Sequence, residues 1–179
     1  MKNLIRKILK EYEEEKILVV PSLKYFGDDW NALQLFLKSK GNPKWKLLDN
    51  LNLYNTPIES LGNLQHVGGN LSLRFTPIES LENLQSVGGN LYLSNSPIKS
   101  LGNLQSVGGN LDLYNTPIES LENLQSVGGN LVLNGTPIES LGNLQSVGGY
   151  LHSVNTSLSK KYTEEEIRQM VDVKGSIFM

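Results

Sequence analysis

Gly-Gly recurs at positions 68–69, 88–89, 108–109, 128–129 and 148–149, and Pro at 57, 77, 97, 117 and 137. A fixed period of 20 residues restricts a chain to solenoid architectures, in which each unit buries its apolar face only against its neighbours. One unit reads Leu111-Asp-Leu-Tyr-Asn-Thr-Pro-Ile118-Glu-Ser-Leu121-Glu-Asn-Leu124-Gln-Ser-Val127-Gly-Gly-Asn130. Leu111 and Leu113 have the two-residue spacing of a strand with one buried face. Ile118, Leu121, Leu124 and Val127 are spaced by three between Pro117 and Gly128-Gly129. That spacing fits extended or single-turn 3₁₀ chain better than an α-helix. Each unit is therefore expected to form one coil: a short strand, a corner, an irregular return and a Gly-Gly corner. Glycine is expected there because the chain turns with positive φ or runs close against a neighbouring backbone.

Composition removes several function classes. Among 179 residues there is no cysteine, which excludes a disulfide scaffold, a thiolate metal site and a catalytic thiol. Two histidines leave little for a histidine-rich metal centre. A formal net charge of −2 speaks against bulk electrostatic attraction to nucleic acid. No stretch approaches the roughly 18 apolar residues of a membrane span. The expectation is no cofactor, no metal, no nucleic-acid partner and no membrane span. Charges interrupt the N-terminal apolar residues, so no signal peptide is expected.

Leu111-x-Leu113-x-x-Thr116-x-Ile118 resembles the leucine-rich-repeat core LxLxxNxL, with Thr in the Asn slot. Thr or Ser fills that slot at 56, 76, 96, 116, 136 and 156. In that family the slot side chain bonds backbone groups of the adjacent turn. One departure is Gly at 68, 88, 108, 128 and 148, where the family carries a further leucine. The segment Val-Gly-Gly-Asn-Leu-x-Leu is instead similar to the coil motif of receptor L-domain-type right-handed β-helices. Short, nearly identical repeats also resemble solenoid proteins encoded by bacteria and large phages. The resemblance covers about residues 47–158. It implies a mainly β fold: a right-handed β-solenoid with a parallel sheet and about seven coils. It is nearly silent on function. The expected location is cytoplasmic, or the host cytoplasm or virion for a phage-encoded chain.

The termini can be placed in the same register. Residues 1–46 are expected to form an N-terminal helical cap, 47–158 the solenoid, and 159–179 a last coil containing a short helix. Leu4, Ile5, Ile8, Leu9 and Tyr12 form one helical stripe. Asp28 or Asp29 opens a second helix carrying Trp30, Leu33, Phe36 and Leu37. Thr163 and Glu166 form a capping box, and Val173-Lys-Gly-Ser-Ile177-Phe-Met179 copies the Gly-Gly corner and the strand.

Most polar columns read as structure. Lys2, Arg6, Lys7 and Lys10 read as a solvated face. Glu59, Glu79, Glu119 and Glu139 share a column with Lys99 in the middle, which argues against a calcium ladder. Asn63 and its counterparts, beside Ser60 and its counterparts, read as ladders that satisfy corner backbone groups. Asp112 and His152 share a column two coils apart, roughly 9–10 Å, too far for acid–base work near 3 Å, and Arg74 completes no constellation. No enzymatic activity is expected.

The outward strand positions are different, because they change at every coil. One column reads Asn52, Ser72, Tyr92, Asp112, Val132, His152, and the next Tyr54, Arg74, Ser94, Tyr114, Asn134, Val154. Phe75 stands where 55, 95 and 115 hold Asn. The return-side residues Gln65, Gln85, Gln105, Gln125 and Gln145, expected to be exposed, do not change. Tyr54, Ser72, Arg74, Phe75, Tyr92, Asp112, Tyr114, Asn134 and His152 are therefore the candidate binding face, rich in the types found at interface hot spots. The expected function is a non-enzymatic module presenting its sheet to a protein. The alternatives are a structural component of a larger assembly, with the solenoid as spacer, and carbohydrate binding by the tyrosine-bearing face. A homodimer through the uncovered C-terminal edge strand is also expected.

Overall fold

The computed structural model describes residues 17–179. The N-terminal stripe around Leu4 and the basic side of that segment lie outside the described residues. The rest is mainly β: a solenoid of parallel strands in two sheets. The first strand, β1 (Leu18–Val20), leads through a 3₁₀ turn at Leu23–Phe26 into helix α1 (Trp30–Ser39). Asp29 caps α1 by accepting the Asn31 N–H at 2.8 Å. Then come β2 (Trp45–Leu47), β3 (Leu51–Asn52), β4 (Leu64–Val67), β5 (Leu71–Ser72), β6 (Ser86–Val87), β7 (Leu91–Tyr92) and β8 (Ser106–Val107). The next strands are β9 (Leu111–Asp112), β10 (Ser126–Val127), β11 (Leu131–Val132), β12 (Ser146–Val147) and β13 (Leu151–His152). Two short helices, α2 (Ser157–Lys161) and α3 (Glu164–Met170), precede β14 (Asp172–Val173) and β15 (Ile177–Phe178).

Even-numbered strands follow β1 in an eight-stranded sheet, sheet A, and odd-numbered strands from β3 to β15 form a seven-stranded sheet, sheet B. Register advances by one repeat per coil, so Leu71 pairs with Leu91 and Val87 with Val107. The chain ends keep the expected alignment: Leu47 pairs with Val67, Val147 with Val173, and Leu151 with Ile177. The segment from 51 to 150 makes five full turns of 20 residues. The expectation of about seven coils counted one coil per strand of sheet B, so it included the irregular turn begun at Leu151 and the closing strand at Ile177.

Two expectations are corrected, and the choice left open at the Gly-Gly corners is decided for close approach. The return of each coil is not irregular throughout, because its Ser-Val segments pair into sheet A. Sequence alternation is too short there, two residues per coil, to announce a strand. The Gly-Gly corners do not use positive φ; the glycines with left-handed backbone are 27, 41, 62, 102, 135 and 142. A Cβ on Gly108 would instead strike the carbonyl oxygen of Gly88, and one on Gly109 the Asn90 side-chain oxygen. The corner is a backbone-to-backbone contact, with Gly108 N–H donating to Val87 O at 2.8 Å and Gly109 N–H to Gly89 O at 2.9 Å. Finally, Gln65 is buried and Gln85 half-buried, whereas Gln105, Gln125 and Gln145 are exposed.

The core is one continuous apolar column from Leu18 to Ile177. Leu111, Leu113, Ile118, Leu121, Leu124 and Val127 are all buried, as are their counterparts in the neighbouring coils. The slot residues close the corner after each strand: Thr116 Oγ1 donates to Leu113 O at 2.8 Å, and Thr76, Thr136 and Thr156 make the same bond. Asparagines 50, 70, 90, 110 and 130 form a further ladder, each side-chain oxygen accepting the backbone N–H one coil on, up to Tyr150 N–H at 3.0 Å. Both C-terminal helices begin with capping boxes, at Thr156–Ser159 and Thr163–Glu166. Hydrogen bonds from Thr163 hold the Glu166 carboxyl below the usual carboxylate range.

Candidate binding face on the seven-stranded sheet

Strand alternation turns Leu111 and Leu113 inward and sends Asp112 and Tyr114 outward. The same geometry in every coil sets the variable positions side by side on sheet B. Ser72 neighbours Tyr92, Tyr92 neighbours Asp112, and Val132 neighbours His152. The structure gathers the candidate residues into three groups.

At the N-terminal end, Tyr54 and Phe75 meet edge to face with ring centroids 5.6 Å apart. They are 54% and 50% exposed. In the middle, the Arg74 guanidinium lies over the Tyr92 ring, 4.4 Å from its centroid. Its Nη2 then reaches Asp112 Oδ2 at 2.7 Å, two coils away. Asp112 is fully engaged, since its Oδ1 accepts the Tyr114 N–H at 3.1 Å. Ser94, in the coil that the arginine crosses, is buried. Arg74 Nε is shielded and has no hydrogen-bond partner among the described residues. Beside this group a shallow depression of about 430 Å³ is lined by Asn52, Tyr54, Asn70, Ser72, Arg74 and Tyr92. Tyr114 stands alone and half exposed.

At the far end, Asn134 Nδ2 is 3.4 Å from His152 Nδ1. His152 joins Phe178 and Tyr150 in an aromatic cluster, with centroids 4.4 and 5.1 Å from its ring. Sequence reasoning missed Tyr150 and the bridge from Arg74 over Tyr92 to Asp112. The first had a signal, an Asn-to-Tyr change at the sixth place of the Asn ladder. The second required knowing that an arginine side chain spans two coils diagonally when the residue between is small.

The other columns are structural or solvated. Lys99 pairs with Glu79 at 2.9 Å, both well exposed. His66 lies on sheet A with Nδ1 2.8 Å from Ser86 Oγ. Burial, and then the charge of Lys46, lowers its pKa from the ordinary histidine value. Among the described residues no group of three or more His, Cys, Asp or Glu gathers to hold a metal ion. No helix among them is long and apolar enough to cross a membrane. Comparisons with protein-family models, with curated proteins and with solved structures gave no match to the chain.

Proposed function

We propose that the protein is a non-enzymatic binding module of the leucine-rich-repeat kind that presents sheet B to a protein partner. The observation that carries this reading is Phe75. Its φ is +56°, a left-handed conformation that is a steric outlier for a bulky side chain. The equivalent residues are Asn55, Asn95, Asn115, Gly135 and Asn155, all types that tolerate it. The strain is not compensated by burial, because the ring is half exposed and meets an exposed tyrosine edge to face. A locally costly aromatic held toward solvent is the mark of a surface shaped for contact. The Arg74–Tyr92–Asp112 bridge supports the same reading, since it fixes an otherwise mobile arginine against an aromatic ring before any partner arrives.

The test is capture of partners from the organism that encodes the chain, followed by affinity measurement with purified components. Tyr92→Ala and Tyr114→Ala are each expected to weaken binding by about 1–2 kcal/mol or more. Gln105→Ala, on the opposite side, is expected to leave it unchanged. Equal loss from both sides, or from neither, overturns the sheet-face reading and favours the solenoid as a spacer in an assembly. Binding of oligosaccharide by the isolated chain, lost in Tyr54→Ala, favours the carbohydrate alternative.

A further inference from the structure

The last coil has two sheet edges, and among the described residues a side chain caps only one of them. In sheet A each coil offers its valine and second-glycine carbonyls to the N–H groups of the next, as in Lys174 N–H to Val147 O at 3.0 Å and Gly175 N–H to Gly149 O at 2.9 Å. On the last coil the equivalent acceptors are the carbonyls of Val173 and Gly175. Arg168 takes both, with Nη1 2.8 Å from Val173 O and Nη2 2.9 Å from Gly175 O. Glu164 holds the guanidinium in place through bonds of 2.9 and 2.8 Å. Helix α3 thus supplies two of the donors of a missing coil.

Among the described residues sheet B has no such device. Strand β13 uses the Ser176 and Phe178 carbonyls of β15, accepting from Leu151 N–H at 3.0 Å and Ser153 N–H at 2.8 Å. The alternation of a parallel ladder then sends the N–H and C=O of Ile177, and the N–H of Met179, away from β13. The described residues of the edge carry neither proline nor a bulge, and the nearby Lys174 is paired with Asp172 at 2.7 Å. The exposed ring of Phe178 stands beside this edge, joined to Tyr150 and His152.

We infer that β15 is a dimerisation edge, pairing antiparallel with β15 of a second copy across a two-fold axis. An antiparallel hydrogen-bonded pair exchanges both N–H···O bonds between two facing residues. Ile177 presents both groups outward, so it is complementary to itself. The pairing joins two seven-stranded sheets into one and brings the two Tyr150–His152–Phe178 clusters onto a common face. Head-to-tail association is disfavoured at the other end of sheet B. There β3 faces the N-terminal cap, where Ser22 Oγ donates to Asp49 at 2.8 Å and a cleft is lined by Leu23, Asp28 and Asn52. A heterologous contact would also propagate without closing, whereas the two-fold pair is closed.

The experiment is sedimentation of the 179-residue chain over a wide concentration range, with amide hydrogen exchange at both extremes. The expected result is a reversible rise to twice the chain mass, with the Ile177 and Met179 amides slowed only in the dimer. Phe178→Lys places a charge on the edge and is expected to weaken association about tenfold or more, at unchanged circular dichroism. A chain that stays monomeric throughout overturns the inference. So does a dimer in which those two amides exchange as fast as in the monomer, or one that Phe178→Lys leaves intact.

Discussion

Among the described residues, Phe75 is the only aromatic with left-handed backbone. Its place in the repeat belongs to asparagine, and the amides there form their own ladder, with Asn115 Nδ2 donating to Asn95 Oδ1 at 2.8 Å. Phe75 interrupts that column between Asn55 and Asn95. Phe75→Asn removes a strain of about 1–2 kcal/mol and restores amide neighbours. It loses an edge-to-face contact worth about 0.5–1.5 kcal/mol. The expected outcome, from urea unfolding, is a stability between about 0.5 kcal/mol lower and about 1.5 kcal/mol higher, in place of the usual loss of several kcal/mol on removing an aromatic. Affinity for the sheet-face partner is expected to fall in the same variant. A clear loss of stability would mean that the ring is there for packing. The substitution was visible in the sequence as one odd letter in a column. Its backbone cost was not, because nothing in the spacing shows which corner position turns left-handed.

At the scale of the element, each corner has its own reason for its residues. The turn after each inner leucine is left-handed at Gly62, Glu82, Gly102, Glu122 and Gly142. Nothing lies near a Cβ placed on Gly62, whereas one on Gly108 meets the backbone of the coil below. Gly62→Ala therefore suffers only the conformational penalty, about 1–2 kcal/mol. Gly108→Ala must push two coils apart, and overpacking of that kind costs about 1–3 kcal/mol. It also weakens the Gly108 N–H bond to Val87 O. Urea unfolding of the two variants should place Gly108→Ala at least level with Gly62→Ala, although φ at Gly108 is ordinary. A neutral Gly108→Ala would show that the corner can open freely. The two-residue strands of sheet A were hidden from sequence for a related reason. Their order comes from stacking against identical neighbours, and no local pattern encodes it.

At the scale of the whole molecule the repeat is longer than one coil. Where Gly sits above Glu the coils close tightly, with Asn103 N–H to Glu82 O at 3.1 Å and Lys99 N–H to Glu79 O at 2.8 Å. Bridges pair Ser80 with Ser100 and Ser120 with Ser140. Where Glu sits above Gly the backbone contact is replaced by side chains: Asn83 and Asn123 reach the Gly62 and Gly102 carbonyls at 3.1 and 3.0 Å. Ser60 and Ser100 donate there to Glu82 and Glu122. The Gly/Glu alternation therefore sets a period of two coils on this edge. A variant lacking residues 91–110 puts Glu122 above Glu82, in the place of Gly102, where a Cβ lies 2.5 Å from the Glu82 carbonyl oxygen. That deletion is expected to unfold at lower urea than one lacking 111–130, which puts Gly142 above Gly102. Adding Glu122→Gly to the first deletion should recover most of the difference. Equal midpoints for the two deletions would remove the two-coil period.

By itself the sequence determined that the chain coils with a period of 20 residues, which side chains fill the core, and which strand positions face outward. Those features follow from spacing, and spacing is preserved when identical units stack. The tertiary structure decided what depends on the distance between coils. It made the Gly-Gly corners sites of close approach, paired the Ser-Val segments into a second sheet and carried Arg74 across Tyr92 to Asp112. It also turned Arg168 onto the Val173 and Gly175 carbonyls of the last coil, with no counterpart on sheet B among the described residues. Each of these joins residues about 20 or 40 positions apart, or a helix to an edge, and so depends on coordinates that local spacing does not contain.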